Sequence, residues 1–80
     1  MPLYTFVTDK QGGTYIEQFS AADIDAAVRM WHDRSHTMPG PGDAEDLDPT
    51  LIKGMKKVWC IDGFDPAGVF YIVHIVETIE

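Results

Sequence analysis

V-F-Y-I-V-H-I-V, Val69–Val76, is the stretch whose reading decides the fold. It is rich in β-branched and aromatic residues and follows a turn-like G-F-D-P-A-G, so it reads as a strand, running Val69–Ile79. Its alternate residues are Val69, Tyr71, Val73 and Ile75 on one side and Phe70, Ile72, His74 and Val76 on the other. Both sides are apolar. A strand in an antiparallel sheet with one wet face should alternate apolar and polar residues. The pattern therefore predicts a strand covered on both faces, and two coverings are needed.

Working outward, Leu3–Thr8 and Thr14–Phe19 are strand-like runs joined by D-K-Q-G-G, where Gly12 and Gly13 are free to take positive φ; together they predict a hairpin. Ser20 and Asp23 stand at capping-box spacing before a helix. Ile24, Ala27, Val28 and Trp31 recur at i, i+3, i+4, i+7, which makes one buried stripe. Asp25, Arg29 and Asp33 alternate in charge four apart on a solvated side. Pro39 requires the helix to have ended. His36–Asp48 then has no usable periodicity, with two Pro-Gly pairs and four acids; loops of this length without structure are uncommon in compact domains. Asp48 and Pro49 look like the start of a short helix, Thr50–Met55, and Lys57–Asp62 like a third strand. The expected fold is a single α+β domain over residues 1–80: a four-stranded antiparallel sheet in the order ββαββ, with one main helix on one face and a short second helix. The main helix covers one side of the last strand. The short helix and acidic loop, or a second copy of the sheet, cover the other. In the second case Trp59, Phe70, Ile72, His74 and Val76 form the face of a homodimer.

Composition narrows the function. Six Lys and Arg stand against thirteen Asp and Glu, a net charge of −7. Nucleic-acid binding rests on cations meeting phosphates, and docking on anionic lipid rests on the same attraction, so neither is expected. No apolar run reaches the length of a membrane span. The first residues, M-P-L-Y-T-F, carry no basic segment and apolar run, and the one cysteine, Cys60, allows no intrachain disulfide; the expectation is a cytoplasmic protein.

Three constellations invite chemistry. In W-H-D-R-S-H, Trp31–His36, two histidines lie four apart as in a zinc protease helix. The residue after the first is aspartate, a methylene shorter than the glutamate that works on metal-bound water, and His36 sits at an uncertain helix end. A histidine at a helix C-terminus is stabilised by the helix dipole without any metal. Cys60 and His74 could serve as nucleophile and base. If the last hairpin pairs Asp62 with Val69, however, Cys60 faces Tyr71, and His74 shares the opposite face with Trp59. His74 alone is the single polar residue of its strand, either a satisfied core histidine or one at a subunit contact. The aromatic residues lack interleaved cations for stacking bases. No catalytic set and no cofactor motif stands out.

The pieces G-G-T-Y-I-E-Q-F, A-A-D-I-D-A-A-V-R-M-W, V-W-C-I-D-G and F-Y-I-V-H-I-V-E-T resemble small uncharacterised bacterial proteins with a G-T-Y-I-x-Q hairpin, an Ala-rich helix ending in Trp, a W-C strand and a closing I-V-x-T strand. The resemblance implies a hairpin–helix–hairpin fold and no activity. The first hairpin and helix also resemble antitoxins of the HicB type, without the third strand and Pro-Gly segment that precede the helix there. The function expected from the sequence is a non-catalytic acidic binding module. Its Asp43, Glu45, Asp46 and Asp48 would present charge to a basic protein, as an inhibitor or immunity protein does. The alternative is a small-molecule or metal-sensing site built from His32, His36 and His74.

Overall fold

The computed structural model describes residues 1–34, 49–64 and 68–78. The chain runs β1 (Leu3–Lys10), β2 (Gly13–Ser20), α1 (Ile24–Arg34), β3 (Thr50–Leu51), β4 (Val58–Phe64) and β5 (Phe70–Thr78). The strands form one antiparallel sheet in the order β2-β1-β5-β4-β3. The fold is α+β as expected, with five strands rather than four. β5 is the middle strand, paired with β1 on one edge and β4 on the other.

The first hairpin closes through Gln11 and Gly12, with φ of 52° and 78°, between the paired Lys10 and Gly13. Positive φ at both central residues is the mirror-image turn whose twist matches that of the strands. The expected freedom at Gly12 and Gly13 is thus displaced by one residue, and Gly13 is already in the strand.

α1 begins later than Ser20. Ser20 ends β2 opposite Leu3, and the Ala21 N–H reaches the Pro2 carbonyl at 3.2 Å. The cap is Asp23, whose Oδ1 accepts a hydrogen bond from the Ala26 N–H at 2.8 Å. The predicted stripe faces the sheet, with Ala27, Val28 and Trp31 buried and Ile24 partly so, while Asp25, Arg29 and Asp33 are exposed. Trp31 is fully buried and stacks on Phe6, ring centroids 5.7 Å apart and planes 7° from parallel. Phe6 in turn meets Phe19 edge-on at 5.7 Å, and Trp31 leans on Tyr71 at 6.2 Å. Such pairs add roughly 0.5–1.5 kcal/mol each beyond the area they bury. With Tyr4, Ile61, Val73 and Ile75 they make the core.

The expected helix at Thr50–Met55 is not formed. Thr50 and Leu51 instead add a two-residue strand to β4, opposite Cys60 and Trp59. The Ile52 N–H then bonds to the Val58 carbonyl at 2.9 Å, closing a tight return. Gly54 at φ 85° and Lys57 at φ 60° take left-handed conformations there, which no helix continues through.

The β4–β5 register also differs from the expectation. Asp62 pairs with Ile72, not Val69, so Cys60 pairs with His74 and Trp59 with Ile75. The shift is three residues, an odd number, and an odd shift moves every side chain of one strand to the other face relative to its neighbour. Trp59 therefore belongs to the face under the helix, packed against the core and tilted on Tyr4 at 6.1 Å.

One polar cluster ties the two ends of the chain together. The Tyr4 hydroxyl donates to Glu77 Oε1 at 2.9 Å, and Lys57 Nζ lies 3.4 Å from Glu77 Oε2. Burial, and then the Glu77 carboxylate, raise the Tyr4 pKa from 10.0 to about 12. The folded state thus holds the phenol proton more tightly than the unfolded state. The contribution is complete below pH 10 and disappears as pH rises from 10 to about 12. Urea midpoints measured across that range should fall more steeply for the wild type than for Tyr4→Phe. Parallel curves would contradict the assignment. Tyr4→Phe itself should cost about 1 kcal/mol at neutral pH, for the lost hydrogen bond.

Candidate functional site

Because directly opposed residues share a face, the registers sort every strand residue into two sets. Tyr4, Phe6, Thr8, Phe19, Trp59, Ile61, Tyr71, Val73 and Ile75 lie under α1. The other set forms a face over which no described helix lies. Across its middle runs the row Thr50, Cys60, His74, Val7, Ile16, from β3 to β2. The next row is Val58, Val76, Thr5, Gln18, and beyond the middle on the other side comes Asp62, Ile72, Asp9, Thr14. Phe64 and Phe70 stand opposite each other at the end, rings edge-to-face with centroids 5.5 Å apart.

The face has two textures. On β1 and β2 polar pairs reach across the strands: Gln18 Nε2 donates to Thr5 Oγ1 at 3.0 Å, and Thr14 Oγ1 to Asp9 Oδ1 at 2.7 Å. On β4 and β5 the residues are mostly apolar and remain open to solvent: Phe64 is 69%, Phe70 52% and Val76 36% exposed. In a domain this small, a patch of that kind marks a contact surface more often than a scattered exposed Leu or Val does.

Of the face expected from the sequence, Phe70, Ile72, His74 and Val76 do stand together, and Trp59 does not, since its register assigns it to the core. Val7, Ile16, Val58 and Phe64 join the set instead. The sequence signal for them was present in the β-branched residues of the neighbouring strands. Assigning them to a face required the register and the strand order, which no local pattern carries.

Cys60 and His74, expected on opposite faces, are cross-strand neighbours. The chemistry does not follow the proximity. Burial pushes the Cys60 thiol pKa up and the nearby Asp62 carboxylate pushes it further in the same direction, whereas a nucleophilic cysteine needs the thiolate. His32, from the histidine pair, packs at the end of α1 with 11% of its side chain exposed and Nδ1 3.1 Å from Asp33 Oδ1. α1 lies on the far side of the sheet from His74, so these two histidines do not converge. His36 and the four acids Asp43, Glu45, Asp46 and Asp48 lie outside the described residues. Among the described residues, no three His, Cys, Asp or Glu side chains come together as a metal site, and no helix is long and apolar enough to cross a membrane.

Three buried polar atoms under and beside α1 were not anticipated: Thr8 Oγ1, Trp31 Nε1 and His32 Nε2 have no hydrogen-bond partner among the described residues. Trp31 reaches from Phe6 to Tyr71, which on the sheet spans the row that holds Thr8. Unpaired buried groups of this kind subtract from stability rather than add to it.

No family model, curated protein or solved structure matches the chain.

The Cys60 assignment gives a direct check. At pH 8 its alkylation by iodoacetamide should be slower in the folded protein than in urea, and Asp62→Asn should speed the folded reaction by relieving the carboxylate's repulsion of the thiolate. A folded rate above that of the unfolded chain would restore Cys60 as a nucleophile.

Proposed function

We propose that this chain is a non-catalytic, acidic protein-binding module that works through the open face of its sheet. One observation carries the reading: exposed Phe64, Phe70 and Val76 continue a single apolar surface with Ile72 and Val58, on the side of the sheet away from α1. Apolar area of this kind supplies binding energy at about 25 cal/mol per Å² removed from water, before the costs of association. The net charge of −7 argues against nucleic acid and anionic lipid as alternatives to a protein. The raised Cys60 thiol pKa and the separation of His32 from His74 argue against a catalytic or three-histidine reading. The acidic stretch Asp43, Glu45, Asp46 and Asp48 adds charge that would speed encounter with a basic surface more than it would tighten the complex.

The reading is tested with immobilised wild type and Val76→Lys in cell extract at low and high salt. The expected result is a protein retained by the wild type and released by the substitution at both salt concentrations, since Val76 sits within the apolar area. Identical retention by both forms would contradict binding through this face.

A further inference from the structure

We infer that the occupant of the open face is a second copy of this chain, packed sheet to sheet about a two-fold axis near His74. This rests on the reading of that face as a protein contact. Three features single out a second copy among proteins.

The first is where the charges sit. On the open face of the four long strands the acidic residues are Asp9 and Asp62, both in the row next to that of His74; Lys and Arg are absent from it. A basic partner would meet only those two carboxylates, and an acidic partner would meet no cation. The middle rows, with Val7, Thr5, Val76 and Val58, are neutral, which is the character of the centre of a homodimer interface.

The second is symmetry. His74 is the middle residue of β5, and β5 is the middle strand. A two-fold axis lying in the interface along the His74 row brings that row against its own copy. It turns the Asp9–Asp62 row of one copy over the Val58–Val76–Thr5–Gln18 row of the other, so the carboxylates of the two copies are kept apart. A self-complementary patch of this kind is what an isologous contact requires.

The third is size. With strands about 4.8 Å apart and residues about 3.3 Å apart along them, the open face offers roughly 500 Å² of flat area per copy. Two copies thus bury about 1,000 Å² or more once side-chain relief is included, which meets the lower limit of about 1,000 Å² for a biological interface. The apolar area so removed from water would supplement a core that is small in any 80-residue domain.

The net charge makes the proposal separable from binding of a basic protein. Two copies of −7 repel, so added salt should strengthen the dimer, whereas salt weakens a complex with a cationic partner. Sedimentation equilibrium of the full chain at micromolar concentration should show a dimer whose association rises from low salt to 0.5 M. Val76→Lys and, separately, Phe70→Ser should weaken it at least tenfold while the circular dichroism spectrum is kept; both positions are exposed, so folding is expected to survive. His74→Leu should associate as well as the wild type or better.

A wild-type monomer whose Ile72 and Val76 methyl resonances broaden with a soluble paramagnet would overturn the second copy and leave the face free for another protein. A monomer with those methyls shielded would overturn both readings, because the chain would then cover the face itself. A dimer untouched by Val76→Lys and Phe70→Ser would place the contact elsewhere, such as the β2 edge, and would overturn the face-to-face arrangement.

Discussion

One helix of eleven residues lies over one side of this sheet. That constraint organises the rest of the molecule. α1 seats Trp31 flat on Phe6 and against Tyr71, and the two aromatic contacts draw β1 and β5 into a single core layer. β5 is the middle strand and has no polar face to offer water, so the side that α1 leaves open carries Phe70, Ile72 and Val76 outward. The functional reading grows from this imbalance between a sheet with two apolar sides and the one helix among the described residues.

Much of the architecture was legible in the sequence because it rests on local signals. The Trp31 stripe has helical period, the first hairpin has its glycines, and the last strand has an unbroken apolar run. Where the reading failed, the competing effect can be named. Asp23 took the cap that Ser20 could have held, because Ser20 was drawn into pairing with Leu3. Thr50 and Leu51 extended β4 rather than starting a helix, because Gly54 and Lys57 turn left-handed just beyond them. Sequence rules place a cap or a turn well enough when a single candidate is present, and less well when two elements compete for the same residue.

The candidate face was half legible. Alternation in β5 correctly grouped Phe70, Ile72, His74 and Val76, because side-chain period along one strand is intrinsic to the backbone. Which residues of β4 join them depends on register across a connection, and there an error of three residues exchanged Cys60 for Trp59. The same error hid the neighbourhood of Cys60 and His74. Proximity alone still does not make them a dyad. Burial and Asp62 both favour the neutral thiol, which does not suit a nucleophile.

The candidate face turns on the β4–β5 register, since it decides which side chains of β4 face α1 and which face outward. The most direct test is His74→Cys. Paired residues of antiparallel strands have Cα atoms about 4.5–5.5 Å apart, within disulfide range. Mild oxidation of the dilute variant should therefore consume both thiols within a single chain, closing a Cys60 bond to position 74. If both thiols stayed free there, while Tyr71→Cys closed the bond with Cys60 instead, the two faces would be exchanged and the account would fail.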